Sequence, residues 1–215
     1  MNSFINKDII VPFNYSGNKE NIKKIVVIGT STGGPRALQE VIPLIPEDVP
    51  AAFLIVQHMP SGFTKSLAER LNNLSMLTVK EAEDNEIIRP GFAYVAPGSY
   101  HMMVKKNEHG ELKIKISSEP SDKRYKPSVD VLLNSLTETQ VSNVICVIMT
   151  GMGSDGSKGI VNLKRKSNGY IIAQDEKTSV VYGMPKAAVK TGMVDAIVPL
   201  NEIADHILKT MGVYK

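Results

Sequence analysis

The fold is decided by the stretch Ile25-Val26-Val27-Ile28-Gly29-Thr30-Ser31-Thr32-Gly33-Gly34-Pro35-Arg36-Ala37. Its first four residues are β-branched and apolar, which predicts a strand buried on both faces, as at the centre of a parallel sheet. Apolar residues then recur at three- and four-residue spacing from Leu38 to Ile45, which predicts a helix. The glycine-rich turn at residues 29–34 therefore joins the carboxyl end of a strand to the amino terminus of a helix.

Ser31 lies inside this turn, for which three interpretations stay open. The first is a nucleophile turn, in which glycines around a serine permit a tight bend and a close substrate approach. Free backbone N–H groups and the positive end of the helix would then favour an oxyanion beside the hydroxyl. The second is a phosphate-binding cradle, although the turn lacks the G-x-G-x-x-G spacing and the lysine of a P-loop. The third is a plain connection whose glycines satisfy the backbone geometry.

The composition indicates one soluble domain and gives no sign of a nucleic-acid or membrane partner. The 215 residues are 42% apolar, enough for a real core, and 25 basic and 22 acidic residues leave a net charge of +3. The single cysteine, Cys146, lies in an apolar run, which predicts a buried thiol and fits a reducing cytosol. The sequence contains no run of eighteen apolar residues and no signal-peptide pattern, so we expect a cytoplasmic protein.

Residues 1–23 are rich in Asn, Lys, Ser and Gly, which predicts a flexible N-terminal tail or linker remnant before one domain at residues 24–215. Strands and helices alternate along most of this domain. We therefore expect a doubly wound α/β fold of the Rossmann type, with a mostly parallel sheet and helices on both faces. The strands at 100–105 and 112–117, the second of which alternates apolar and charged residues, predict an antiparallel hairpin at one edge of the main sheet.

Two further apolar strands bring reactive side chains to the same edge as Ser31. The strand at 51–56 leads to His58, and the strand at 144–149 leads through a glycine-rich turn to Asp155. Consecutive strand–helix units imply right-handed crossovers, so the carboxyl ends of these strands meet at one edge. Open α/β sheets bind their ligands at that edge.

A nucleophile, a base and a carboxylate that orients the base are what acyl transfer needs, and Ser31, His58 and Asp155 supply them. Two structural alternatives stay open: His58 as a hydrogen-bonded structural histidine, and Asp155 as the N-cap of the helix that it precedes. The order Ser, His, Asp differs from the Ser, Asp, His order of the α/β-hydrolases, so a different fold would carry the same chemistry. We expect no metal site, because the sequence lacks H-x-x-x-H, C-x-x-C and H-E-x-x-H spacings.

Several blocks, in the same order over nearly the whole chain, resemble a known family. The turn at 29–34 resembles its nucleophile turn, and residues 57–60 resemble its histidine block. The other matching blocks are residues 79–82, 94–98, 126–130, 149–156 and 182–185. The family is CheB, the protein-glutamate methylesterases of bacterial chemotaxis, and the resemblance is to its catalytic domain.

The resemblance implies that the chain hydrolyses γ-glutamyl methyl esters on the cytoplasmic domains of chemoreceptors, with release of methanol. As in many family members, it implies deamidation of receptor glutamines as well. Ser31 would be the nucleophile, His58 the general base and then acid, and Asp155 the orienting carboxylate. The oxyanion donors of the family correspond to the backbone N–H groups of Thr32 and Met152. No cofactor is implied, and we expect a monomer because the enzyme must approach long receptor helices.

The chain departs from the family pattern in three places. Many members carry an N-terminal receiver domain that phosphorylation controls, whereas only about two dozen residues precede the catalytic domain here. This predicts either a stand-alone methylesterase or a piece of a longer chain. Thr30 stands where Ala or Cys is commoner, and Arg124-Tyr125-Lys126 differs from the usual basic run, with consequences expected for receptor contacts.

Three rival functions stay open. A serine esterase or amidase for another substrate would use the same fold and residues, because these fix the chemistry better than the acyl group. A non-catalytic receptor-binding module would keep the fold alone, although the intact set of reactive residues argues against it. A nucleotide-binding domain built on the turn at 29–34 predicts thermal stabilisation by ATP or NAD.

Overall fold

The computed structural model describes residues 24–121 and 125–213. Their strands, in chain order, are β1 (Lys24–Thr30), β2 (Ala51–Gln57), β3 (Thr78–Glu81), β4 (Phe92–Val95), β5 (His101–Lys106), β6 (Leu112–Ser117), β7 (Val144–Ile148), β8 (Tyr170–Gln174) and β9 (Ala196–Val198). Seven of these strands form one sheet in the order β3-β4-β2-β1-β7-β8-β9, and every neighbouring pair in it is parallel. The predicted mostly parallel α/β fold is therefore confirmed.

The helices of the described residues alternate with these strands. In chain order they are α1 (Gly34–Val41), α2 (Phe63–Leu74), α3 (Val129–Glu138), α4 (Ser157–Ser167), α5 (Met184–Lys190) and α6 (Ile203–Met211). Short 3₁₀ turns at Ile42–Leu44 and Leu200–Glu202 extend α1 and precede α6. The predicted tail at residues 1–23 and Arg124 of the atypical basic run lie outside the described residues.

Two apolar layers cover the two faces of the main sheet, because successive residues of a strand point to opposite sides. Val26 and Ile28 of β1 pack in one layer with α1, α2 and α6, whereas Ile25 and Val27 pack in the other with α3, α4 and α5. This is the doubly wound arrangement that the unbroken apolar strand predicts. Cys146 lies fully buried in the second layer, as predicted, and burial raises the pKa of its thiol.

The antiparallel hairpin of β5 and β6 is confirmed, but its position differs from the expected one. It forms a separate two-stranded sheet, while β3 and β9 are the outer strands of the main sheet. The backbone N–H of Val104 in β5 donates to the hydroxyl of Ser135 in α3 at 2.9 Å. Met102, Val104 and Ile114 are buried in the second apolar layer. The apolar side of the hairpin therefore covers the sheet with α3, which leaves its charged side in water.

The topology brings three loops together at one end of the sheet. Strand β1 lies between β2 and β7, so the connections after these three strands leave the sheet side by side. Thr30 is paired with Gln57, and Gly29 is paired with Ile148. Such a point, where the strand order changes direction, is the usual ligand crevice of an open α/β sheet. The residues that follow the three strand ends form the candidate site.

Candidate active site

The turn after β1 holds Ser31 against the loop that follows β7. The backbone N–H of Ser31 donates to the carbonyl of Thr150 at 3.0 Å, and its own carbonyl accepts from the N–H of Gly34 at 2.8 Å. Gly33 precedes α1 with φ of 82°, a left-handed conformation that glycine adopts without strain. A side chain there would also meet Val180, because a Cβ on Gly33 would lie 2.7 Å from its Cβ. The turn is thus fixed on two sides, and glycine is required in it.

His58 follows β2 directly, and two contacts fix its ring. Its Nε2 lies 2.8 Å from Oδ2 of Asp155, and both side chains are less than one-tenth exposed. Its ring stacks on Tyr125, with ring centroids 4.4 Å apart and planes inclined by 7°. The other nitrogen, Nδ1, is buried and makes no hydrogen bond to any residue that the structure describes. An imidazole that donates from Nε2 leaves Nδ1 as its proton acceptor.

Asp155 receives five hydrogen bonds, which explains how a carboxylate is buried there. Its Oδ2 accepts from His58 and from the backbone N–H of Val129 at 2.7 Å. Its Oδ1 accepts from the hydroxyl of Ser128 at 2.8 Å and from the backbone N–H groups of Asp130 and Gly156, both at 3.1 Å. Burial favours the neutral acid, but the bonds from His58, Val129 and Asp130 outweigh it and lower the pKa of Asp155. The carboxylate is therefore ionised at neutral pH.

The interpretation of Asp155 as the N-cap of the helix that follows it is wrong. Gly156 is the N-cap of α4 and makes no side-chain capping bond. The Asp155 carboxylate instead accepts from the first N–H groups of α3, a helix that starts 26 residues earlier in the chain. Ser128 caps the same helix through its hydroxyl, which accepts from Val131. Asp155 is thus held by the amino terminus of α3 and holds His58 in turn.

Of the two predicted oxyanion donors, Thr32 lies in the turn after β1 and Met152 lies in the loop after β7, which packs against that turn. Gly151 packs so closely on Ser31 that a Cβ on it would lie 2.7 Å from the Cβ of the serine. Met152 follows Gly151, and Thr32 follows Ser31. The backbone N–H groups of Thr32 and Met152 make no hydrogen bond to any described residue. Unpaired N–H groups close to a serine can receive the oxyanion of an acyl-transfer intermediate, so both remain candidates for that role.

A buried glutamine, which sequence reasoning missed, joins the serine loop to the histidine loop. The Gln57 side-chain amide donates to the carbonyl of Ser31 and to that of His58, both at 3.0 Å. Its oxygen accepts from the hydroxyl of Thr30 at 2.7 Å. Gln57 and Thr30 are both almost completely buried. The available signal was a polar residue ending a strand that is otherwise entirely apolar, since a buried polar side chain needs partners.

A second missed residue, Thr150, joins the turn after β1 to the loop before α5. Its hydroxyl donates to the carbonyl of Thr32 at 2.9 Å and accepts from the N–H of Val181 at 3.0 Å. Tyr125 and Ser128 were missed as well, since they entered the sequence argument only through a loop and a motif. A serine three residues before Val131 was a usable helix-capping signal. The stacking of Tyr125 on His58 joins segments far apart in sequence and leaves no local signal.

The structure brings all five predicted site residues to one edge of the sheet, although not into one hydrogen-bonded chain. His58 and Asp155 are bonded, whereas the Ser31 hydroxyl makes no hydrogen bond to His58 within the part of the chain that is described. Such bonds are often long in a resting enzyme and tighten only with substrate. The arrangement supplies a serine, an oriented base and N–H donors, which are the elements of covalent acyl transfer.

The described residues contain no group of three or more His, Cys, Asp and Glu side chains able to hold a metal ion. Within those same ranges, no helix is long and apolar enough to cross a membrane.

Comparisons with known proteins agree on one family. Residues 26–207 match the family model described as CheB methylesterase. The chain is 50% identical, over 88% of its length, to a protein of Syntrophomonas wolfei named protein-glutamate methylesterase/protein-glutamine glutaminase 1. It is 52% identical, over 87% of its length, to a protein-glutamate methylesterase/protein-glutamine glutaminase of Halalkalibacterium halodurans. These alignments cover 54% of each relative, so the chain spans about half the length of the curated relatives it matches.

Among solved structures, the chain is similar to the Thermotoga maritima CheB methylesterase catalytic domain. The sequence identity is 45% and the TM-score is 0.83. The match covers 89% of this chain and 98% of that one.

Proposed function

The chain belongs to the CheB methylesterase family, and we propose that it hydrolyses γ-methyl esters of glutamate side chains on the cytoplasmic domains of chemoreceptors. Deamidation of receptor glutamines by the same residues is part of this proposal. The observation that carries it is the buried hydrogen bond between His58 and Asp155 at the strand end next to Ser31. A base oriented in this way beside a serine is the arrangement that activates a nucleophile.

The proposed reaction runs through an acyl-enzyme. The Ser31 hydroxyl attacks the ester carbonyl while His58 takes its proton, and Asp155 stabilises the imidazolium that forms. The oxyanion binds to the N–H groups of Thr32 and Met152. When the intermediate collapses, the carbon–oxygen bond to the methoxy group breaks and His58 returns the proton, which releases methanol. Water then attacks the acyl-enzyme with His58 as base, and free Ser31 and glutamate are regenerated. With glutamine as substrate, ammonia leaves instead of methanol.

The surface around the site supports a polypeptide substrate. Val180, Met152 and Phe63 are each more than three-fifths exposed, which makes them the most exposed large apolar side chains of the described residues. Val180 and Met152 lie in the loops after β8 and β7, and Phe63 is the first residue of α2, which follows β2, so all three lie at the same edge as Ser31. An exposed apolar rim of this kind is typical of a protein-binding surface, and a small ester does not need one. We also propose that the protein acts as a monomer in the cytoplasm, and that it needs neither a cofactor nor a nucleic acid.

The test is methanol release from a methylated chemoreceptor, measured for the unaltered chain and for Ser31→Ala. Ser66→Ala serves as the matched control, because Ser66 is exposed on α2. We expect release that Ser31→Ala abolishes and Ser66→Ala retains. A generic p-nitrophenyl ester is the second substrate. Turnover of that ester alone would support the proposed roles of the three residues but contradict the chemoreceptor as the substrate. Receptor binding without turnover of either substrate would favour a non-catalytic module, and stabilisation by ATP or NAD would favour nucleotide binding.

A further inference from the structure

The peptide unit between Ser31 and Thr32 is held by two hydrogen bonds on its carbonyl side. The carbonyl of Ser31 accepts from the backbone N–H of Gly34 at 2.8 Å and from the side-chain amide of Gln57 at 3.0 Å. The N–H of the same unit belongs to Thr32 and makes no hydrogen bond to any described residue. A trans peptide unit is planar, and its C=O and N–H point in opposite directions. Two donors that fix the carbonyl therefore fix the direction of the Thr32 N–H as well.

The peptide unit between Gly151 and Met152 has the same arrangement. The carbonyl of Gly151 accepts from the N–H of Met184 at 2.8 Å and from that of Gly183 at 3.1 Å. The N–H of this unit belongs to Met152 and is likewise unpaired within the described ranges. Each proposed oxyanion donor thus lies on a peptide unit whose carbonyl is bonded twice. Because hydrogen bonds polarise one another along a chain, two bonds to a carbonyl also strengthen the N–H of its peptide unit as a donor.

Gly183 packs against this second peptide unit with no room for a side chain. A Cβ on it would lie 2.6 Å from the carbonyl oxygen of Gly151 and 3.1 Å from the Cα of Met152. The φ of Gly183 is −92°, which other residues adopt without strain, so the close packing is what requires glycine here. A methyl group at this position would displace the Gly151 carbonyl and turn the N–H of Met152 with it.

Gln57 is equally confined beside the first peptide unit. It is almost completely buried, and its side-chain oxygen accepts from the hydroxyl of Thr30 at 2.7 Å. The amide nitrogen then faces the carbonyls of Ser31 and His58 and donates to both. The reverse orientation of the amide would place its oxygen against these two carbonyls, with no hydrogen between them. The Gln57 side chain is therefore held as a donor to Ser31.

We propose that Gln57 and Gly183 are positioning residues for ester hydrolysis, because each fixes, from the carbonyl side, a peptide unit whose N–H receives the oxyanion. This inference rests on the proposed function, which supplies Ser31 as the nucleophile. The oxyanion forms only when Ser31 attacks, so an N–H that is oriented in advance stabilises the transition state and not the bound ester. Loss of either anchor should consequently lower kcat and leave KM nearly unchanged.

The kinetic test compares each variant with a control that carries a similar defect away from the site. Gly183→Ala and Gln57→Met should lower kcat on a p-nitrophenyl ester about tenfold to a hundredfold and leave KM within about twofold. Gly169→Ala is the first control, since a Cβ on Gly169, just before β8, would lie 2.7 Å from Leu163. Ser135→Ala is the second, because it removes a buried hydroxyl that accepts from the backbone of β5. Both controls should lower the free energy of unfolding and keep kcat.

The second readout reports on the oxyanion site without turnover. Phenylboronic acid adds to a serine hydroxyl and gives a tetrahedral boronate, one oxygen of which takes the place of the oxyanion. The amide proton signals of Thr32 and Met152 are followed by NMR in the full chain until the probe is saturating. We expect both signals to move in the unaltered chain and in both controls. The shift should shrink for Met152 in Gly183→Ala and for Thr32 in Gln57→Met, while the other donor still responds.

Two results would overturn the inference. The first is a proposed donor whose amide signal does not respond to the probe in the unaltered chain. The second is a loss of kcat in Gly183→Ala no larger than the loss in Gly169→Ala. Should Gly183→Ala fail to fold, Gln57→Met and Ser135→Ala decide by the same comparison. Responding amide signals without methanol release from the receptor would defeat the proposed function and leave this inference standing.

Discussion

Replacing Asp155 with asparagine tests both the stability and the chemistry of the site. Every group that faces this carboxylate donates a hydrogen bond, and four of the five donors are in the backbone or on Ser128. The amide nitrogen of asparagine is itself a donor, so either orientation leaves donors facing it. With nitrogen in place of Oδ2, the bond from Val129 is lost and the bond with His58 is reversed. With nitrogen in place of Oδ1, the bonds from Asp130 and Gly156 are lost, while the Ser128 hydroxyl can turn and accept from the amide.

The expected loss of stability follows from this count. A hydrogen bond to a charged group contributes about 1.5–3 kcal/mol, so the loss of one or two lowers the free energy of unfolding by about 1.5–6 kcal/mol. The change is large against the total of about 5–15 kcal/mol for a typical domain. An amide that donates to Nε2 of His58 also forces the proton onto Nδ1, which removes the acceptor for Ser31. By analogy with serine proteases, kcat then falls by about 10³- to 10⁴-fold.

The assay has two parts. Urea denaturation gives the free energy of unfolding, and hydrolysis of a p-nitrophenyl ester at pH 7, without urea and under conditions in which the variant is folded, gives kcat. Asp205→Asn, which replaces an exposed carboxylate in the first turn of α6, is the matched control. It should leave kcat unchanged and lower the free energy of unfolding by less than about 1 kcal/mol. A folded Asp155→Asn protein that keeps kcat within tenfold of the original would refute the orienting role. A loss of less than about 1 kcal/mol would refute the hydrogen-bond argument.

The pH dependence of stability gives a further check on Asp155. The pKa of Asp155 is lowered in the folded protein, so its ionisation adds to the free energy of unfolding. This contribution is fully present above the pKa of the unfolded state, about 3.9, and is lost as the pH falls through the lower pKa of the folded state. The free energy of unfolding should therefore fall on acidification below about pH 4 in the original chain, and less steeply in Asp155→Asn. Equal slopes for the two proteins would contradict the lowered pKa.

Three other variants address the groups around the proposed triad. Gln57→Leu leaves two carbonyls without their amide donor, and we expect thermal denaturation to show a loss of about 1–3 kcal/mol with a lower kcat. Val180→Ser should lower kcat/KM on the methylated receptor about five- to tenfold, a larger effect than on the generic ester. Ile197→Ser, at an apolar and exposed position on β9, is the control and should change neither value. Tyr125→Ala should lower kcat about three- to tenfold through loss of the stack on His58, and Tyr125→Phe should restore it.

The sequence was sufficient for the main sheet because its signals are local. Four β-branched residues before a glycine-rich turn predict a buried central strand, and the crossover rule then fixes on which edge His58 and Asp155 lie. The hairpin of β5 and β6 shows where such reasoning ends. Its alternation predicts the pairing and one wet face, whereas its position depends on the apolar layer and on the bond to Ser135, which no local pattern reveals.

Not every partner of the candidate triad could be found from the sequence. Gln57 left the signal of a polar residue at the end of an apolar strand, whereas Tyr125 stacks on His58 from a segment far away in sequence and leaves no local pattern. The case of Asp155 is instructive. A short polar residue before a helix predicts an N-cap, which accepts hydrogen bonds from the first N–H groups of that helix. Asp155 does accept such bonds, but from a different helix. The N–H groups that it satisfies belong to α3, because the starts of α3 and α4 lie together in the fold.

This shared start explains why Asp155, the proposed orienting carboxylate, also stabilises the fold. An ionised carboxylate buried only to serve catalysis would cost stability, as active-site groups often do. Here the N–H groups of Val129 and Asp130 would be unpaired without it, so the desolvation of Asp155 is offset by bonds that α3 needs in any case. Only the bond to His58 is then specific to the chemistry. Loss of folding and loss of activity should consequently coincide at Asp155, whereas His58→Gln should lose activity and keep most of its stability.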